Sequence, residues 1–360
     1  MDASAGRTAR LAEAVHHYLL WLLVGSYALA AVLPQPGLWL RSVDLGGLAP
    51  GGWLHVPLPA ALLGFLLFSA GLGVQPRRLW QLARRPTLLA AGVAANLVLP
   101  VAFILGTATT MRLWHNPREV QEILVGLALI ASMPVAGSST AWAQNADGDL
   151  ALSIGLVVCS TCLSPFTTPL VLHAVGWMAD GEYAAALHAL AAGEVSGFLA
   201  AFVLLPSLLG TGARLALGEG PFGRLRPALK LAGSAVLLAL CYANAAVALP
   251  QTVAQPDWDF LAVMLVIVLA MCAAGFAAGA GLGWAFRADR ARRAALMFGL
   301  GMTNNGTGLV VAAAALSRYP AVMVPIIFYN LVQHVVAAVA DHFWLGAAGD
   351  GPPAGPPPTP

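Results

Sequence analysis

Charge is what this chain has least of. Only 9% of its 360 residues are Asp, Glu, Lys or Arg, while 59% are hydrophobic and the mean hydropathy is +0.78. Soluble domains carry roughly 25% charged residues, so a water-surrounded globule is excluded. The net charge of +2 gives no reason to expect nucleic acid or an acidic partner. Cysteine is scarce too. Cys159, Cys162, Cys241 and Cys272 all lie in apolar segments, which excludes a disulfide framework. Cys159 and Cys162 share a helix face without the surroundings of a redox or metal motif, and packing accounts for them. No loop is long enough to bury a core of its own, so no soluble domain is expected.

What is abundant is apolar sequence in runs of about 20 residues, the length a helix needs to cross hydrocarbon. Ten such spans are read at 14–34, 56–74, 87–108, 120–146 (broken), 149–174, 184–210, 228–249, 259–286, 293–316 (broken) and 321–346. The first outruns a signal-peptide core, and no small-residue cleavage pattern follows it. Placing the N-terminus in the cytoplasm puts fourteen of the 18 Lys and Arg on the inside, leaving Arg41, Arg112, Arg118 and Arg318 outside. That bias obeys the positive-inside rule, and nine or eleven spans would scramble it. Tryptophans such as Trp39, Trp114, Trp177 and Trp284 fall near span ends, at headgroup level. The expectation is an all-α, multi-pass protein of the cell (inner) membrane with both termini cytoplasmic. Residues 1–346 make one ten-helix domain, and the Gly/Pro-rich 347–360 is a disordered tail.

Two spans are interrupted by polar, glycine-rich stretches. Pro134–Thr140 (PVAGSST) breaks the fourth span and Gly299–Gly308 (GLGMTNNGTG) the ninth, with Met133 and Met302 169 residues apart. Lipid tolerates irregular backbone only where protein or a water-filled cavity covers it. Paired breaks of this kind point to the binding site of a secondary transporter. Each is the fourth span of its five-span half. An odd number of spans per half makes any internal repeat inverted. At the first break Pro134 removes a helix hydrogen bond, and Ser138, Ser139 and Thr140 offer hydroxyls. Such oxygens suit a hard monovalent cation or a substrate's polar groups; they could equally bond back to the preceding turn. At the second, Thr303, Asn304 and Asn305 set two carboxamides at membrane depth. Unsatisfied there they would cost several kcal/mol, so partners or water must be present.

Other polar groups lie within spans. The S-P-x-x-T-P unit at Ser164–Pro169 is expected to kink the fifth span and expose carbonyls. Asn96 sits mid-span, four residues before Pro100. The tenth span carries Asn330, Gln333, His334 and Asp341, and the sixth carries His188 and Glu194. An intramembrane carboxylate such as Glu194 is a candidate functional group.

The run Gly137–Pro169, GSSTAWAQNADGDLALSIGLVVCSTCLSPFTTP, resembles the bile acid:sodium symporter family, as does the stretch Gly301–Ala315, GMTNNGTGLVVAAAA. The segment AGLGVQPRRLWQLARRPTLLAAGVAANLVLP and the later VPIIFYNLVQHVVAAVADHFW are similar to it as well. The resemblance implies ten helices in an inverted five-plus-five repeat. A panel of spans 1, 2, 6 and 7 would face a core of spans 3–5 and 8–10, in which broken helices 4 and 9 cross. It implies alternating access for a small organic anion (bile-acid-like, keto acid or sulfonate), with sodium as the coupling ion and no other cofactor. By position the family's sodium ligands fall on Asn96, Ser139, Thr140, Ser153, Val157, Gly299, Leu300, Met302 and Thr303. The chain departs from that pattern where the family has a glutamate (Gly299), an asparagine (Thr140), a threonine (Val157) and a glutamine (Thr303). A cation among neutral oxygens alone is less favourably held. Two readings therefore stand: one weak sodium site of hydroxyls and carbonyls, or coupling that is absent or moved to Glu194 or His334, as in a proton-coupled or uncoupled exporter. An enzyme is not expected. Asp147 and Asp149 occupy a tight loop, and no G-x-S-x-G or aspartyl-pair motif lies in a span. A sensor would ordinarily carry a signalling domain, and none is seen in the sequence.

Overall fold

The computed structural model describes Leu11, Ala14, Val15 and residues 18–46, 56–74 and 86–342; the side chains of Glu194 and Glu219 are not among what it describes. The tail at 347–360 and the cations Arg7, Arg10, Arg77, Arg78, Arg84 and Arg85 lie outside the described residues. Among those residues the chain is helical, with two isolated β-bridges and no strand.

The helices are α1 (Leu19–Val32), α2 (Gln35–Ser42), α3 (Leu58–Gly73), α4 (Pro86–Thr110), α5 (Pro117–Ser132), α6 (Ser138–Asn145) and α7 (Leu150–Gly176). Then come α8 (Gly181–Ala189), α9 (Val195–Leu199), α10 (Leu205–Leu217), α11 (Glu219–Ala254) and α12 (Trp258–Ala285). The last are α13 (Arg290–Gly301), α14 (Asn305–Ala315) and α15 (Met323–Ala340). Among the described residues six stretches are long and apolar enough to cross a membrane, and up to seven if α1 and α2, bent by 94°, form one span.

Polar residues set the helix starts. Asn116, Asp149, Asp257, Asp289 and Asn304 each accept a backbone N–H from the first turn of α5, α7, α12, α13 and α14. Where α10 hands over to α11, Gly218 takes φ +71°, a conformation other residues adopt only at a cost. The predicted sixth span, 184–210, is not one regular helix. Its path from α8 to α10 is kinked at Gly193, whose backbone is not helical (φ 164°, ψ −30°), and then passes through a π-helical turn at Ala200–Leu204. The seventh begins before its predicted start at 228, because α11 runs out through the arginine-rich turns.

Across Ser164–Pro169, where a kink is expected, α7 runs on as one helix from Leu150 to Gly176. Pro165 frees the Thr161 carbonyl, and Ser164 Oγ donates to it at 2.9 Å, keeping that group satisfied within the helix.

Two sets of helices pack around the breaks. α3 lies against α10 and α11, and α11 against α1 and α2; α4, α5, α7, α12, α13 and α15 pack among themselves. The α3–α10 crossing is backbone to backbone. A Cβ on Gly71 would stand 2.2 Å from the Ser207 carbonyl oxygen, and one on Gly210 would stand 2.1 Å from that of Phe68. Small residues permit this approach, and dispersion between the helices holds it. Gly210→Leu is therefore expected to destabilise the protein by about 1–3 kcal/mol or more. Gly212→Leu, facing open space, is expected to be neutral. Thermal unfolding followed by size-exclusion chromatography checks both.

Candidate functional site

The first break begins where the sequence forbids a helix. Met133 precedes Pro134 and is extended (φ −80°, ψ 147°), as a residue before proline is pushed to be, so α5 stops at Ser132. In the second break Met302 is likewise extended (φ −123°, ψ 121°) between α13 and α14. The two breaks meet. Val135 and Thr303 form an antiparallel bridge; Ala136 N donates to Met302 O at 3.0 Å, and Asn304 N to Pro134 O at 2.9 Å. Four half-helix ends converge here: the positive N-termini of α6 and α14 and the negative C-termini of α5 and α13.

Side chains from other helices satisfy further backbone groups that the breaks release. Ser160 Oγ accepts from Val135 N at 3.0 Å, and Thr168 Oγ1 donates to Ser132 O at 2.6 Å, both from α7. On α15, Gln333 Oε1 accepts from Thr303 N at 3.1 Å, and Tyr329 OH donates to Gly301 O at 3.3 Å. Gln333 is held in turn by Asn330, whose Nδ2 donates to Tyr27 OH at 2.8 Å. A lost partner in such a buried chain costs about 1–3 kcal/mol, so the crossing is rigid.

The predicted residues sort into distinct places. Ser139, Thr140 and Ser153 come together: Ser153 Oγ donates to Thr140 Oγ1 at 3.2 Å, and Ser139 Oγ is buried without a partner. None of the three bonds back to the preceding turn among the described residues. Asn304 caps α14 through Oδ1 to Thr307 N (3.3 Å). Asn305 folds back on Thr303, its Oδ1 accepting from Thr303 Oγ1 at 3.1 Å and its Nδ2 donating to Thr303 O at 3.2 Å. Asn96 lines a 260 Å³ cavity with Leu300 and Thr303. Met302 is buried and reaches the crossing through its carbonyl. His334 accepts a long hydrogen bond from Trp142 Nε1 (3.4 Å) and lines a 360 Å³ cavity with Ser138 and Asn145. Glu194 directly follows the kink at Gly193; its side chain lies outside what is described.

The space beside Gly299 is apolar. A Cβ there would lie 2.6 Å from Leu156 Cδ1, and one on Gly92 would lie 2.8 Å from Leu156 Cδ2. Leu156 is fully buried between these glycines, in a cluster with Val135, Leu152 and Leu296. No carboxylate bonds to the three hydroxyls among the described residues.

The crossing is not sealed on all sides. Met133–Ala136 and Ser139 are buried, yet Gly137 and Ser138 between them are exposed, and Asn304 and Gly306 are half-buried. Ser138 also lines a second cavity of 390 Å³ between α3 and α11. At the far end of α11 the helices are clamped together. Arg41 donates from Nη1 to Asn244 Oδ1 (2.7 Å) and from Nη2 to the Ala313 carbonyl at the end of α14 (2.6 Å).

The roles of Ser160, Thr168, Tyr329 and Arg41 are not apparent from the sequence reading. One signal was available for Arg41: it is one of the four cations that the topology expected from the sequence leaves outside.

A family model described as the Sodium Bile acid symporter family matches residues 60–255. The chain is 30% identical over 116 residues to the Sodium-dependent organic anion transporter of Homo sapiens, covering 32% of this chain and 29% of that protein. It is 32% identical over 118 residues to the Uncharacterized sodium-dependent transporter YocS of Bacillus subtilis, covering 32% of this chain and 35% of that one. The chain thus spans about a third of the length of the curated relatives it matches. With more than half of its 360 residues matched by the family model, the chain belongs to the sodium bile acid symporter family.

Proposed function

We propose that the protein is a secondary transporter that moves an amphipathic organic anion across the membrane by alternating access at the crossed breaks. One observation carries this reading: two hydrogen-bonded helix interruptions meet in a buried core, and Ser138 at the edge of the first lines two cavities. In this reading ten spans form two inverted five-span halves, with both termini cytoplasmic. Spans 1, 2, 6 and 7 are the panel and the others the core. The helix order and the arginine bias support it. Access is one-sided. The 390 Å³ cavity flanks the arginine-rich start of α11, while Arg41 clamps Asn244, 18 residues beyond Arg226 and about 27 Å along the helix. The geometry suits a state open to the cytoplasm, and opening outward requires Arg41 to let go of Asn244 and Ala313.

Sodium is the co-transported ion this reading implies, since the relatives named above are sodium-dependent. Ser139, Thr140 and Ser153 supply its oxygens, and the orphaned Ser139 hydroxyl is the group most in need of a partner. The second reading, transport without sodium, is favoured by Leu156, which fills the space beside Gly299 with methyl groups.

Uptake of radiolabelled taurocholate into proteoliposomes separates them. A sodium gradient is expected to raise the initial rate over an equal choline gradient. Equal rates would establish the second reading, and dependence on a proton gradient would then direct attention to Glu194 or His334. No exchange, even in counterflow without any gradient, would sink the transporter reading for this class of anion.

A further inference from the structure

The cavity between α3 and α11 carries a polarity gradient that the crossing itself does not explain. From α11, Phe222, Arg226, Leu229, Lys230, Ser234 and Leu237 line it. Their spacing of three and four residues puts them on one helix face. Arg226 and Lys230, the chain's single lysine, stand at the open end. Ser234 follows a turn deeper, joined by Ser69 of α3 and Ser138 at the start of α6. Leu237 ends the stripe beside the second break, 4.0 Å from a Cβ placed on Gly306.

Two observations make this more than a solvated helix end. Among the described residues no carboxylate pairs with Arg226 or Lys230, so like charges four residues apart face one cavity without compensation, an arrangement that is unfavourable until an anion arrives. Ser69, which lines the same cavity, has a buried Oγ that makes no hydrogen bond, and a buried polar atom without a partner is uncommon.

We infer that Arg226 and Lys230 are the specificity-determining residues that read the acidic group of the transported molecule. The molecule's apolar body lies along Leu66, Leu229 and Leu237, and its hydroxyl or keto groups meet Ser69, Ser138 and Ser234. The substrate class that fits is a rigid, amphipathic monoanion, a carboxylate or sulfonate. From Arg226 to Leu237 the stripe runs about 16 Å along the helix axis. The 390 Å³ volume falls within the roughly 300–1,000 Å³ usual for small-molecule sites. This inference rests on the transporter reading for its biological meaning, but it is a statement about binding and is tested as one.

The test is equilibrium binding to the purified full chain in nanodiscs, with no ion gradient, so that it stands apart from any failure of transport. The probes are radiolabelled taurocholate and an uncharged analogue, the methyl ester of cholic acid. The wild type is expected to bind taurocholate more tightly. The Arg226→Gln/Lys230→Gln variant is expected to lose about tenfold or more of that affinity, about 1.4 kcal/mol per factor of ten. Its affinity for the ester is expected to stay within about twofold, and raised salt should mimic the variant. Ser69→Ala should weaken both probes alike. Unchanged taurocholate affinity in the double variant would show that the two cations only anchor the helix at the headgroups. Equal loss of both probes, or no binding of either by the wild type, would also overturn the assignment.

Discussion

Asn304→Ala is expected to cut transport of an organic anion by about tenfold to a hundredfold while the protein stays folded, in line with the loss of one charge-assisted hydrogen bond worth about 1.5–3 kcal/mol. Asn304 sits where the second break turns into α14. Its backbone N–H holds Pro134 O, and its Oδ1 caps Thr307 N. Neither bond uses the Nδ2 donors, and the residue stays half-exposed in an otherwise buried turn. Losing the cap costs about 1 kcal/mol, too little to unfold a helix packed on all sides. Asn304→Asp separates capping from binding: the carboxylate still caps Thr307 but cannot donate, and it places negative charge where an anion is expected. If the Asp variant transports normally and only the Ala variant fails, Asn304 is a cap and nothing more. Rates come from proteoliposome uptake, and folding from the unfolding temperature of the same samples.

Why some of this could be read from the sequence and some could not follows from how local each cause is. The first break was legible because Pro134 dictates it through its own missing N–H and its effect on Met133. The caps at Asp149, Asp289 and Asn304 are equally local. The pairing of the breaks is not local, since Val135 meets Thr303 across more than half the remaining chain. Positional symmetry hinted at it, but only the hydrogen bonds between Ala136, Met302, Pro134 and Asn304 establish it. The two adjacent asparagines pointed to partners at depth. Asn305 finds them two residues away, on Thr303, so one of the two carboxamides is structural. The S-P-x-x-T-P unit reads as a breaker, yet α7 runs through it: Ser164 bonds the Thr161 carbonyl that Pro165 frees, and Thr168 satisfies the first break at Ser132. Arg226 and Lys230 counted only toward topology, because charge bias reports sidedness and is blind to which helix face a cation occupies. Leu156 gave no signal at all. A leucine in an apolar span is unremarked until the glycines on both sides of it are seen.

That leucine decides the second large effect. Gly299→Glu alone is expected to fail, losing stability or transport, because the new Cβ would stand 2.6 Å from Leu156 Cδ1. A flexible leucine end could ordinarily swing aside. Here the other methyl already lies 2.8 Å from where a Cβ on Gly92 would be, and the residue is fully buried, so overpacking costs about 1–3 kcal/mol. Gly299→Glu combined with Leu156→Ala removes the obstruction and puts a carboxylate on α13, which packs against α6 and α7, the helices that carry Ser139, Thr140 and Ser153. A carboxylate offsets a cation's desolvation far better than neutral oxygens do. The double variant is therefore expected to reach half-maximal taurocholate uptake at about a tenth of the sodium concentration the wild type needs, equivalent to about 1.4 kcal/mol. Leu156→Ala by itself should open a cavity at a cost of about 2–5 kcal/mol in stability without sharpening the sodium response. The decisive comparison is a sodium titration at constant ionic strength, with lithium and choline as controls. A double variant that folds, transports and remains as indifferent to sodium as Leu156→Ala would show that the hydroxyl cluster is not a cation site and that Gly299 has no part in coupling.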